Sequence, residues 1–263
     1  MMNAKIAILY ICTGKYSVFF DGFYHSCEKY LLVGNEKHYY VWTNNDKVAE
    51  SLDNVTVIHK ECAGFPLDSL FRFEMFMQIA EDLKRYDYVY FMNSNAMFLK
   101  AVGEEILPDE SGLAMGIWRG VRERQHPMLY PYERNKKSLA YVAPYKPPYT
   151  YFMGGLNGGT SDKYLKMIST LSKNIRDDYN RGIIAKYHDE SHINAYMRKH
   201  SCKILSGDLN CPEESITVAT KMIFREKTHI DPYFNKGRKK TKTARMAKAC
   251  NVLWNVIRWY LMF

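Results

Sequence analysis

Apolar and polar positions along the chain alternate between two periods. Ile6 to Ile11 is an unbroken apolar run that ends at Thr13-Gly14-Lys15, the pattern of a buried strand followed by a turn. Tyr16, Phe19, Phe20, Phe23, Cys27, Tyr30 and Leu31 then recur at helical spacing. Tyr39–Thr43 and Val55–His59 read as further strands. Pro66 and Asp68 open a predicted helix whose apolar face holds Leu70, Phe71, Ile79 and Leu83. Tyr88–Met92 is a strand that delivers Asn93-Ser94-Asn95 to its end. Strands alternating with helices predict an α/β fold, with a largely parallel sheet and helices on both faces. Ligands of such sheets collect beyond the carboxyl ends of the strands, so the turns after Ile11 and Met92 are the first places to look.

The second half is less regular. Residues 112–118 read as a strand, and residues 119–149, rich in Arg, Pro and Tyr, as a long loop. YFMGGLNGG, residues 151–159, has four glycines in six positions. Either the backbone approaches a ligand or another segment closely there, or the stretch is a hairpin turn. Ser161 or Asp162 caps a helix running to about Tyr179, and HDESHINAYMRKH forms another. There is no internal repeat and no linker before about residue 230.

Composition narrows the classes. The 263 residues are 47% hydrophobic and 14% aromatic, enough to fill a sizeable core. Net charge is +9, and the acid-free tract KGRKKTKTARMAK, residues 236–248, holds much of it. Charge confined to a tail points to an anionic surface met by that tail, not to nucleic acid. The six cysteines are scattered with no CxxC pair, which fits a reducing compartment and no zinc knuckle. No window reaches the apolar length of a membrane span, and the N-terminal run reads as a first strand instead of a signal peptide.

The densest chemistry is YHDESHIN, residues 187–194. Asp189 and Glu190 are adjacent, so on a helix they point roughly 100° apart and serve different tasks if both act. Acids suited to a helix N-terminus would read the same way. His188 and His192, four apart, resemble a zincin pair, but the glutamate that should follow the first histidine is Asp189 and no third ligand follows.

Taken in order, YICTGKY (10–16), YYVWTN (39–44), LFRFEMF (70–76), MNSNAMF (92–98), YERN (132–135), YFMGGLNGG and YHDESHIN resemble glycosyltransferase family 6 over roughly residues 4–230. This family includes the blood-group A and B transferases and the α-1,3-galactosyltransferases. The resemblance implies a GT-A fold: a single Rossmann-like domain over 1–235 with a central mixed, mostly parallel sheet, followed by a basic amphipathic tail over 236–263. It implies retaining transfer of galactose or N-acetylgalactosamine from its UDP donor, in α-1,3 linkage, to a β-galactoside that often carries α-1,2-fucose. By position, Ile11, Cys12, Thr13 and Tyr16 would line the uracil and ribose. Arg72 would contact the donor, Met153, Gly154 and Gly155 would border its C2 substituent, and Asp189 would hydrogen-bond its sugar. Glu190 would lie beside the anomeric carbon and the acceptor, as nucleophile or as stabiliser of the positive charge that builds there. Tyr187 would face the acceptor.

The departures carry their own expectations. Asn93 and Asn95 stand where animal members place the aspartates that hold manganese, and neutral amides are poor ligands for a hard cation. The resemblance is therefore to the bacterial branch, whose transfer is independent of metal; no cofactor is expected, with weak residual manganese use the alternative. Lys15, Arg225 and Lys227 are the candidates to neutralise the departing diphosphate. Trp118 replaces an acceptor-site histidine, and Asn135 the second arginine of a YERR-like block. Gly155 leaves space that an alanine would fill, as in the family's N-acetylgalactosamine users, and Met153 resembles the galactose-using enzyme, so N-acetylgalactosamine is expected first and galactose second. The expected acceptor is a fucosylated or lipid-linked surface glycan. The expected location is the bacterial cytoplasm, peripheral on the inner face of the inner membrane through the tail. A sugar-binding module with disabled catalysis and a zinc hydrolase on His188 and His192 are the rival readings.

Overall fold

The computed structural model describes residues 4–45, 47–118, 126–144, 147, 149–235 and 242–261. Strand β1 (Lys5–Ile11) and helix α1 (Phe20–Tyr30) open the chain, joined by a 3-10 turn over Gly14–Phe19. Strands β2 (Glu36–Thr43) and β3 (Val55–His59) follow. The predicted helix from Pro66 to Leu83 is instead three short ones: α2 (Leu67–Leu70), α3 (Arg72–Met77) and α4 (Ala80–Leu83). Arg72, Phe73, Met75 and Phe76 form the inward stripe of α3, and the breaks at Phe71 and Ile79 let the segments on either side take their own orientation. A continuous helix would bury only one stripe. Then come β4 (Tyr88–Met92), β5 (Ala96–Phe98), β6 (Leu113–Ile117) and β7 (Phe152–Thr160).

Helix α5 (Ser161–Asn180) starts one residue earlier than a Ser161 cap requires and two earlier than an Asp162 cap. Thr160 holds the cap position and donates its hydroxyl to the Asp162 carboxylate at 2.6 Å. Helix α6 (His188–Met197), β8 (Lys203–Ile204), β9 (Cys211–Pro212), β10 (Met222–Phe224), α7 (Lys227–Ile230) and α8 (Lys242–Leu261) complete the order. Of the expected long loop, residues 119–125, 145, 146 and 148 lie outside the described residues, as do tail residues 236–241.

Seven strands form one sheet in the order β3-β2-β1-β4-β7-β6-β8. The run from β3 to β4 is parallel, and β7 is antiparallel to both neighbours. Alternation along β1 divides the core. Ile6, Ile8 and Tyr10 pack with α1 on one face, and Ala7 and Leu9 pack with α3, α5 and α6 on the other. A small sheet, β5-β10-β9, ties residues near 220 to the turn after β4.

The glycine-rich stretch is neither a hairpin nor a loop but a central strand. A Cβ at Gly158 would stand 2.3 Å from the Tyr90 ring, and one at Gly159 would stand 2.3 Å from the Gly112 carbonyl. Those two glycines are demanded by sheet packing. Because β7 runs antiparallel, with Met92 beside Leu156, its first residues project past the carboxyl end of β4. The loop after β1, the Asn93–Asn95 turn and Met153–Gly155 thus share one edge of the sheet.

Candidate active site

The site forms where the start of β7 meets the start of α6. Asn194 joins the two: its Oδ1 accepts from Phe152 N at 2.9 Å, and its Nδ2 donates to the Phe152 carbonyl and the Glu190 carbonyl, both at 2.8 Å. The Gly154 carbonyl accepts from Arg72 Nη1 at 2.8 Å and from Asn157 Nδ2 at 3.0 Å, and Tyr164 holds Asn157 through its Oδ1. Arg72 Nε lies 3.1 Å from Asp189 Oδ2, an ion pair buried on both sides. The geometry is that of a charge contact, because Oδ2 accepts no well-aligned hydrogen bond. Glu190 instead accepts from Gly154 N at 2.7 Å through Oε2. The adjacent acids therefore point to different partners.

Electrostatics separate them from ordinary surface acids. Burial pushes the Asp189 carboxyl up to about 6, against the pull of Arg72 and with added repulsion from Glu190. Burial also raises Glu190, opposed chiefly by its bond from Gly154 N. His188, which leads into the pair, has a φ of 50°, a left-handed conformation uncommon outside glycine and found where structure over-determines a functional segment. Tyr151 and Tyr187 stand close enough that the Glu190 charge, after burial, raises both phenols. The exposed Trp118 ring meets Tyr151 edge-on, 6.1 Å between centroids. Glu190 thus lies at the foot of a wall of three aromatic residues, of which Tyr151 was not expected from sequence.

The asparagine turn is built into the scaffold. Asn93 N donates to the Gly155 carbonyl at 2.9 Å, and Tyr10 donates its hydroxyl to Ser94 O at 2.7 Å. Asn95 Nδ2 donates to the Arg225 carbonyl at 2.7 Å, and Arg225 N returns a bond to Asn95 O at 2.8 Å. A carboxylate at 95 could not donate there and would face a carbonyl oxygen. Among the described residues no group of three His, Cys, Asp or Glu is placed to hold a metal ion. The donor set at this turn does not fit a hard divalent cation.

Beyond this turn, Thr13 donates its hydroxyl to Asp68 at 2.9 Å, and Asp68 also accepts from Ala63 N and Gly64 N. Sequence reading used Asp68 only to open a helix, yet it fixes the loop after β1. Gly14 N is held by Asn44 Oδ1 at 2.7 Å. Ile11 is half-buried, whereas Cys12 is buried with its thiol pushed up to about 12 by burial. Lys227 donates to the Tyr16 hydroxyl at 3.2 Å, Lys15 pairs with Asp231 at 3.7 Å, and Phe234 packs on Tyr16. Residues 225–235 therefore close over this loop.

Two of the expected site residues have surroundings that the sequence does not show. The Arg225 guanidinium is turned away from the asparagines: its Nη2 donates to the Phe19 carbonyl at 2.9 Å, and a Cβ on Gly22 would stand 2.9 Å from its Nη1. Lys227 and Lys15 sit at the loop after β1, where Tyr16 and Asp231 engage them. The space expected above Gly155 is also taken, since a Cβ there would lie 2.7 Å from Asn93 Nδ2 and 3.0 Å from the Met153 methyl. The His188–His192 pair divides its partners as well. His188 packs edge-on against Phe65, while His192 is buried with Nε2 3.6 Å from Asp178.

Comparison with known proteins agrees with this geometry. The model of Glycosyltransferase family 6 matches residues 1–226. The Escherichia coli O-antigen biosynthesis glycosyltransferase WbnI is 35% identical over 232 residues, covering 88% of this chain and 98% of that protein. The globoside alpha-1,3-N-acetylgalactosaminyltransferase 1 of Gallus gallus is 28% identical, and histo-blood group ABO system transferase 1 of Rattus norvegicus 29%. Each match covers 79% of this chain, which spans about three-fifths of those animal proteins. The zinc-hydrolase reading falls with this result. The chain belongs to glycosyltransferase family 6 and is a hexosyltransferase, acting between a nucleotide-sugar donor and a glycan acceptor.

Proposed function

We propose that the enzyme transfers N-acetylgalactosamine from UDP-N-acetylgalactosamine, with retention and without metal, to O3 of a β-galactoside bearing α-1,2-fucose on a bacterial surface glycan. The observation that carries this reading is the buried set Arg72, Asp189, Gly154 and Glu190 at the sheet edge shared with the nucleotide loop. The C1–O bond of the donor breaks with its electron pair leaving on UDP. The acceptor O3 bonds to C1, and its proton ends on the departing diphosphate. Glu190, ionised beside C1, either holds the cationic character of the sugar or bonds to it transiently. Arg72 and Asp189 position the sugar hydroxyls, and Trp118, Tyr151 and Tyr187 offer ring faces to the acceptor. Lys227 and Lys15 draw the diphosphate charge that a metal would otherwise take. The O-antigen role named for the Escherichia coli relative supports a surface glycan as the destination.

Galactose is the second donor reading. It is favoured by the Asn93 amide and the Met153 methyl over Gly155, which leave less room for an acetamido group than glycine alone implies. Product formation from each donor with a fucosyl-α-1,2-galactoside, in excess EDTA, tests both readings. α-Linked product in EDTA supports metal-free retention and ranks the donors. Transfer that requires added manganese would overturn the metal-free part, and β-linked product the retaining part.

A further inference from the structure

Helix α8 packs against the 3-10 turn Pro127–Leu129 by one side. Trp259 and Tyr260 meet the His126 ring at 4.9 and 5.5 Å between centroids. Among the described residues, nothing covers its other side. Met246, Leu253, Trp254 and Leu261 are each at least 60% exposed, and Ile257 is 42% exposed. Their spacing of three and four places them in one stripe along the helix. A solvated helix does not normally show such a stripe, and a helix docked only on its own domain would bury it.

Charge says what covers it. Residues 236–263 hold eight Lys and Arg and no acid, which leaves residues 1–235 with 29 basic and 28 acidic side chains. Almost the whole net charge therefore sits on and just before this one helix. Two copies pairing through the stripe would bring together tails with no acid to offset either one. Nucleic acid would match the charge but not the Leu, Ile and Trp. An anionic bilayer surface matches both, with acyl chains for the stripe and lipid phosphates for the cations. No described helix is long and apolar enough to cross a membrane.

We propose that α8 lies flat on an anionic leaflet, its apolar stripe in the headgroup boundary, while its opposite side stays seated on residues 126–129. Tyr130, which follows that turn, stacks on Tyr132, and Tyr132 meets Tyr151 of the aromatic wall, so docking would hold that wall near the lipid surface. That consequence, unlike the docking itself, rests on the reaction proposed above. It would favour an acceptor glycan carried on a lipid.

The test is sedimentation of the full chain with vesicles of phosphatidylcholine alone or mixed with phosphatidylglycerol. The same is done for Leu253→Glu/Ile257→Glu and Lys239→Gln/Lys240→Gln, with thermal melting as the check on folding. Binding only to the phosphatidylglycerol vesicles, weakened at least about tenfold in the stripe variant and severalfold in the charge variant with unchanged melting, is expected. Three results would overturn the proposal: no vesicle binding, binding undiminished in the stripe variant, or a dimer lost in that variant without any vesicle binding. None of them bears on sugar transfer, which is read separately with a soluble acceptor.

Discussion

Two buried carboxylates, eleven residues apart, are treated in opposite ways by the same pair of helices. Asp178, near the end of α5, accepts from Ser138 Oγ at 2.6 Å, from Leu139 N at 3.0 Å and from Arg181, with His192 behind it. Its lone pairs are used, and the result is a knot tying the 133–141 segment to α5 and α6. Asp189, at the start of α6, is as deeply buried but has one oxygen without a hydrogen bond and a carboxyl pushed up to about 6. A saturated buried acid holds structure, and an unsaturated one beside an arginine stands ready for an outside partner.

Substitutions should separate these roles, and among the groups that touch the two acids Arg72 should show the largest effect on transfer. Arg72→Met removes the cation at Asp189 and the donor to Gly154 O, and transfer should fall roughly 10²- to 10³-fold, the usual loss for one such electrostatic group. Asp178→Ala should behave in the reverse way. It strands a buried hydroxyl and an amide, so stability should drop by about 3 kcal/mol, read as a melting temperature roughly 6–12 °C lower, with turnover per folded molecule nearly intact.

Asn95→Asp lies between the two. It replaces a donor to Arg225 O with a repelling oxygen, and should cost about 1–3 kcal/mol in chemical denaturation. Its transfer should fall without rescue by manganese, and rescue would show that the turn still assembles a metal site. The smallest effect is in pH. The working acids are ionised and their folded pKa values are raised, so activity should be full above the raised values and lost as pH falls through them. With Asp189 at about 6, kcat/KM should decline with an acid limb near pH 6 that belongs to the Asp189–Glu190 pair together. A limb near 4 would mean the pair is solvated in the working enzyme.

Local pattern made much of this legible. Val55–His59 and Tyr88–Met92 were bounded to the residue, because turn residues flank apolar runs of strand length. Asp189 and Glu190 were separable because adjacency on a helix forbids a shared partner. What stayed hidden depends on non-local contacts. Nothing near Asn194 or Asn157 in sequence says that their amides brace β7 against α6 and hold Gly154. The helix from Pro66 was read as continuous because its apolar positions fit one stripe. Its break at Phe71 makes Arg72 the first residue of α3, from where it reaches a carbonyl 82 residues away. Gly155 was read as empty space because a sequence cannot show that Asn93 folds over it. The bond from Asn95 to Arg225 spans 130 residues, so a neutral turn looked like a lost metal site when its amide also serves as a strut.

Glu190 acts at the reacting carbon in the proposed transfer instead of merely bracing Gly154 N. The direct measurement is turnover and UDP-sugar affinity of Glu190→Gln, side by side. Gln keeps the shape and an acceptor oxygen for Gly154 N but removes the charge. A kcat lowered at least about 10³-fold with donor affinity unchanged within a few-fold is the predicted result. A kcat within about tenfold of the parent would contradict it, and would place the charge that supports transfer elsewhere in the site.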